Sequence, residues 1–152
     1  MRARDLAEPY PSVSTDDDAV DALRLLAERK LPALLVVDRD GQPWAIVPGS
    51  QLVRQLVPDY VQQDPLLASV ITDRSLDEVH EAVVGQSVAE WLPRRRFTPP
   101  FVGPDASAMN VAALMARTHT PLVAVIERDG DQVRLLGAIT AARLVEQLIG
   151  AS

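Results

Sequence analysis

Two short segments of this chain combine a hydroxyl with backbone or side-chain donors in the way an anion site needs. The first is Gly49-Ser50-Gln51, directly after Pro48, and the second is Thr140-Ala141-Ala142-Arg143. Each sits where an extended apolar run gives way to helical spacing. At a helix start the first N–H groups have no intrahelical partner and the helix dipole favours negative charge. Gly49 and Ser50 would offer N–H groups and a hydroxyl, a small anion nest. Thr140 and Arg143 would add a guanidinium, which suits phosphate or carboxylate. No cation stands at the matching place in the first segment, so the Thr140 side is expected to bind anions more tightly.

Other residue types that could do chemistry are isolated. The chain has no cysteine and two histidines, His80 and His119, neither with a partner at metal-ligand spacing. His119 falls at a helix end, where a positive group complements the dipole; His80 reads as a solvated helix residue. Asp16, Asp17 and Asp18 stand at a helix start, so capping is expected of them rather than metal binding. Arg94-Arg95-Arg96 is the one basic cluster and reads as a solvated face. Glycine-rich phosphate loops, nucleophile elbows and paired acid and base are absent. No catalytic residue and no metal ligand is expected.

The elements that position these segments are written twice. Val13 to Gly41 recurs as Val102 to Gly130 at a shift of 89 positions, with Asp16 over Asp105, Pro32 over Pro121 and Arg39-Asp40-Gly41 over Arg128-Asp129-Gly130. After a short insertion the match resumes at a shift of 92, Leu52-Val53-Arg54-Gln55-Leu56 over Leu144-Val145-Glu146-Gln147-Leu148. A repeat of this length means one folding unit duplicated. Each copy reads strand, helix, strand, hairpin turn, strand, helix. Thr15-Asp16-Asp17-Asp18 has capping-box spacing before Ala19, Val20, Leu23 and Leu26. Asp105 is expected to cap the corresponding helix. Leu34 to Val37 and Leu122 to Ile126 have the pattern of strands buried on both faces. Asp40-Gly41 and Asp129-Gly130-Asp131 mark hairpins. Ser87 to Leu92 echoes Arg2 to Leu6 as a lead-in, and between the copies Leu66, Leu67, Val70 and then Leu76, Val79, Val83 suggest two short helices.

Composition narrows the function. With 152 residues and 47% hydrophobic content the chain can bury one compact core or two packed halves. A net charge of −6 and only four Phe or Tyr residues argue against nucleic acid, which needs a basic surface and stacking platforms. No run approaches the roughly 20 apolar residues of a membrane span, and the N-terminus lacks a signal peptide. No membrane insertion and a cytoplasmic location are expected.

The order and spacing of these segments, seen twice, resemble the cystathionine-β-synthase (CBS) domain, and the tandem pair resembles a Bateman module. The residues that carry the resemblance are the lead-ins ending in Leu6 and Leu92, Val13 and Val102 with the acid-rich helix starts, the segments 34–41 and 123–130, and Gly137-Ala138-Ile139-Thr140. The resemblance implies an α/β (α+β) fold of two three-stranded sheets with flanking helices, packed about a pseudo-twofold axis. The expected divisions are a first repeat at 1–57, a helical linker at 58–86 and a second repeat at 87–152. It further implies a non-catalytic regulatory module, pairing as a homodimer and sensing a small anionic metabolite, such as an adenine nucleotide (AMP, ADP or ATP), in clefts between the copies. With no effector domain attached, it would signal to a separate enzyme or transporter. The family's ligand signature resembles G-x-x-T-x-x-D, in which the carboxylate takes two ribose hydroxyls. Here Gln51 and Arg143 stand in place of that carboxylate, and Thr140 and Ala141 keep the helix start. The ligand-binding residues expected are therefore Gly49, Ser50, Gln51, Thr140, Ala141 and Arg143. The alternative is a degenerate pair acting only as a dimerisation scaffold.

Overall fold

In the computed structural model, residues 1–57, 63–64, 66, 73–92 and 100–150 are described. The first copy runs α1 (Ala3–Leu6), β1 (Ser12–Ser14), α2 (Ala19–Arg29), β2 (Ala33–Val37), β3 (Pro43–Pro48) and α3 (Gly49–Leu56). Helix α4 (Asp73–Val83) follows. The second copy runs α5 (Val88–Trp91), β4 (Phe101–Val102), α6 (Ala108–Thr118), β5 (Leu122–Asp129), β6 (Gln132–Thr140) and α7 (Ala141–Leu148). The later of the two expected linker helices is thus present as α4. The expected helix around Leu67 and Val70 and the basic run Arg94–Arg96 lie outside the described residues.

Each copy forms a three-stranded sheet, ordered β1-β2-β3 and β4-β5-β6, with the first pair parallel and the second antiparallel. The duplication extends to irregularities. Both hairpins shift register at the same place, between Val36 and Val37 and between Val125 and Ile126, opposite Trp44 and Leu136. Helices α2 and α6 both end on a non-glycine residue in the left-handed region, Lys30 at φ 51° and His119 at φ 54°. His119 therefore ends its helix through backbone geometry, which costs about 1–2 kcal/mol without a glycine.

The period of two along the central strands explains their unbroken apolar runs. Leu34 and Val36 face α2, α3 and α5, joining Ala19, Ala22, Leu52, Val88, Trp91 and Leu92 in one core. Ala33 and Leu35 face the other way and meet Leu122, Ala124, Ala138 and Ile46 between the two sheets. Val123 and Val125 repeat the first arrangement with Val111, Met115, Ile139 and Leu144. Both faces are buried, so no polar residue alternates with the apolar ones.

The lead-ins are exchanged. Helix α1 opens the chain yet packs into the second copy: Ala3 and Leu6 belong to the core of Val111, Met115 and Leu144. Its backbone is tied there by Ala3 N–H to the Ala106 carbonyl at 2.8 Å and Arg4 N–H to the Pro104 carbonyl at 3.0 Å. Helix α5 reciprocates, with Val88 N–H to the Asp17 carbonyl at 2.9 Å and Ala89 N–H to the Thr15 carbonyl at 3.0 Å. Val88, Trp91 and Leu92 complete the first copy's core.

This exchange corrects the expected caps. Helix α2 starts at Ala19 with Asp18 as N-cap and no side-chain bond. Thr15 is buried, and its carbonyl is taken by Ala89 of the incoming α5. Asp17 instead accepts from the Ser14 N–H at 2.8 Å, and Asp16 pairs with Arg39 at 2.6 Å. In the second copy Ser107 is the cap, accepting from Asn110 N–H at 3.1 Å. Asp105 pairs with Arg4 while its carbonyl accepts from Arg2 at 2.6 Å. Asp16, Asp17 and Asp105 hold turns and lead-ins, and Asp18 stands at the N-cap position without a side-chain bond.

Candidate functional site

The richest helix start is that of α7. Thr140 ends β6, paired with Leu122, and its hydroxyl oxygen accepts from Arg143 N–H at 3.1 Å. That bond satisfies one of the helix's unpaired donors, a typical N-cap worth about 1 kcal/mol. The Ala141 N–H is taken by the Pro121 carbonyl at 2.9 Å. The Thr140 O–H remains able to donate, and so does most of the Arg143 guanidinium.

Arg143 is not alone. Its Nε lies 3.3 Å from Glu8 Oε1, and its Nη1 lies 3.9 Å from Glu146 Oε2. The Nε is sealed from solvent and makes no hydrogen bond of good geometry. Glu8 arrives on the exchanged lead-in. Its N–H donates to the Ala138 carbonyl at 3.0 Å and its own carbonyl accepts from Ala138 N–H at 3.0 Å. Gly137 makes that approach feasible, since a Cβ there would stand 2.7 Å from the Glu8 carbonyl oxygen. Two residues on, the Tyr10 hydroxyl donates to the Ala33 carbonyl at 2.5 Å and its ring packs between the sheets. Burial pushes the Tyr10 pKa up, with the hydrogen bond to Ala33 opposing the rise. Tyr10 thus remains neutral and serves as a wedge at the mouth between the sheets.

The first copy's helix start is plainer. Pro48 is the N-cap of α3 and offers no side-chain bond; the Gly49 N–H goes to the Pro32 carbonyl at 3.1 Å. Ser50 is exposed and Gln51 half-buried. A Cβ at Gly49 would meet only ordinary contact at 3.8 Å, so no close approach requires the glycine. The structure therefore brings Thr140, Ala141 and Arg143 together with Glu8. Gly49, Ser50 and Gln51 stay on their own helix, with no hydrogen bond or ion pair linking the two groups among the described residues.

Two other hollows lie away from these helix starts. One of about 590 Å³ sits between the hairpin turns, at the opposite end of the strands, where Asp40, Arg128, Asp129 and Arg134 line it. Another of about 360 Å³ is an apolar groove in which Leu56 and Leu23 face Leu76, Val79 and the exposed His80 of α4. Among the described residues no group of three or more His, Asp or Glu is placed to hold a metal ion.

Sequence reasoning missed Glu8 and Tyr10, and read Gly137 only as part of the family motif, not as the place where the lead-in lies against β6. The signal for Gly137 was the repeat itself, since Ala45 fills the corresponding place in the first copy. Glu8 carried none, because its partner is far along the chain.

With this geometry in view, the likeness to known proteins is direct. The CBS domain profile matches residues 3–57 and 92–150. The chain belongs to the CBS-domain family. Proteins of this family are generally regulatory and non-catalytic. A CBS domain-containing protein of unknown function from Kribbella flavida is 44% identical, with 99% of each chain covered and a TM-score of 0.81. CBSX2, solved in complex with AMP, shares the fold at 20% identity and a TM-score of 0.67, covering 99% of this chain and 97% of its own. MJ1426, an uncharacterised protein of Methanocaldococcus jannaschii, is 22% identical over 98% of this chain and 92% of its own length. The two sheets with flanking helices are those of a CBS pair. No helix among the described residues is long and apolar enough to cross a membrane.

Proposed function

We propose that this chain is a non-catalytic regulatory module that binds an adenine nucleotide at the Thr140–Arg143 helix start and signals occupancy to a separate protein. The observation that carries this reading is a capping hydroxyl and a partly buried guanidinium one turn apart at the start of α7. The AMP complex of CBSX2 supports the ligand class. The lead-in supports the signalling role, because Glu8 joins the site to α1 and α1 closes the second copy's core. A ligand that moves Glu8 therefore acts on packed structure, not on a loose tail.

Arg143→Ala should weaken nucleotide binding about tenfold, since a charge-assisted hydrogen bond is worth roughly 1.5–3 kcal/mol, while Gln51→Ala should change it little. Calorimetric titration checks both. AMP, ADP and ATP should each be tried as stabilisers in a melting experiment, because a ligand that binds only the folded state raises its melting temperature. A second reading, a pure dimerisation scaffold, is favoured by the same guanidinium being held by Glu8 and Glu146. A panel with no melting shift selects the scaffold.

Either reading includes a homodimer. Leu52 and Leu144 are spent inside the protomer, whereas Val53, Val145 and Leu148 remain about half exposed on the closing helices α3 and α7. The repeat thus presents the same apolar face twice, which suits a self-complementary interface. Sedimentation at micromolar concentration should show a dimer, and Val53→Asp combined with Val145→Asp should give a monomer.

A further inference from the structure

We propose that Glu8 sets the charge of the ligand the Thr140 site accepts, favouring a nucleoside monophosphate over a triphosphate. The inference rests on the binding reading above and assigns a residue that neither the repeat nor the family signature contains.

The argument begins with the charges in contact. Arg143 is the cation of the site, and two carboxylates flank it, Glu8 at 3.3 Å and Glu146 at 3.9 Å. The three side chains together carry a net negative charge, and no other ion pair joins them among the described residues. A single phosphate can reach the guanidinium edge that these acids leave open, aided by the Thr140 hydroxyl. Each further phosphate brings negative charge near Glu8 and Glu146, and among the described residues no second cation pairs with this group. Repulsion from the two acids therefore grows with ligand charge.

Glu8 and Glu146 are not equivalent. Glu146 lies one turn along α7 from Arg143, at the longer distance, on the same helix as its partner. Glu8 is anchored by two backbone hydrogen bonds to Ala138, and the absent Cβ at Gly137 lets the segment lie against β6. Its carboxylate, 62% exposed, projects from this fixed backbone to the guanidinium at the shorter distance and competes with any ligand that would take the same edge. A monophosphate can share Arg143 with it; a triphosphate must displace it. Selectivity built on repulsion of the wrong ligand needs no additional contact to the right one.

The test is a pair of calorimetric titrations, AMP and ATP, in magnesium-free buffer so that no divalent cation offsets the triphosphate charge. Wild-type protein should bind AMP more tightly. Glu8→Gln, which keeps the shape of the side chain and the backbone bonds to Ala138, should strengthen ATP binding about tenfold and AMP binding about threefold, as expected for removing one of two nearby like charges. Glu146→Gln should shift the ratio less. Equal or tighter ATP binding by the wild type, or a ratio unmoved by Glu8→Gln while Arg143→Ala still weakens AMP, overturns the selectivity role and leaves the binding site standing. If neither nucleotide binds to any form, the site itself fails and the proposal falls with it.

Discussion

Leu6→Ala should lower the melting temperature by about 10 °C, although the residue stands six places from the start of the chain. Terminal residues usually fray and tolerate change unless they are tied down. Leu6 is tied down. It is fully buried against Val111, Met115, Ile139 and Leu144, in the core of the copy that begins some eighty residues later. Removing a buried leucine side chain costs about 2–5 kcal/mol, and in a chain of this size each kcal/mol is worth roughly 2–4 °C. Met109→Ala, a larger-to-smaller change at an exposed side chain on α6, provides the control and should move the melting point by only about 1–2 °C. If Leu6→Ala proved equally mild, the exchanged lead-in would not be part of the core in solution.

That contrast marks where the sequence was legible. The duplicated order of elements, the doubly buried strands and the hairpin turns follow from local period and turn residues, and the two sheets match them. The exchange of lead-ins does not follow, because Arg2 to Leu6 and Ser87 to Leu92 stand at the same place before each copy. Nothing in their own residues says which core they enter; only the backbone ties to Ala106 and Asp17 decide it. The caps were misread for the same reason. Thr15 has the spacing of a capping residue, but Ala89 of α5 needs its carbonyl, and the helix start is displaced to Asp18. At the candidate site, Thr140 was legible as a hydroxyl at a helix start, expected there to meet a ligand; that it caps α7 was not foreseen. Arg143 was readable as a cation but not as a paired one, since Glu8 meets it only through tertiary structure.

Gly137→Ala should cost about 2 kcal/mol, near the middle of the 1–3 kcal/mol range for overpacking, and lower the melting temperature by roughly 4–8 °C. Part of that cost is the strand's own, because Gly137 sits at φ 158°, where an alanine is strained; Ala45, fully buried in the corresponding place opposite Val36, does not share that conformation. The rest comes from the lead-in. A methyl group at residue 137 would stand 2.7 Å from the Glu8 carbonyl oxygen, a backbone atom that cannot rotate aside. To relieve that contact the segment around Glu8 must lift from β6 and strain both hydrogen bonds to Ala138. The damage should therefore be local in a recognisable way. Amide exchange at Glu8 and Ala138 should accelerate, while the pairing of Val36 with Ala45 stays protected. Lifting the segment also draws the Glu8 carboxylate away from Arg143, so Gly137→Ala should resemble Glu8→Gln in its nucleotide ratio despite leaving every charge in place. Unchanged exchange at Glu8 would show that β6 yields instead of the lead-in, and that Glu8 is held at Arg143 by something other than the missing Cβ.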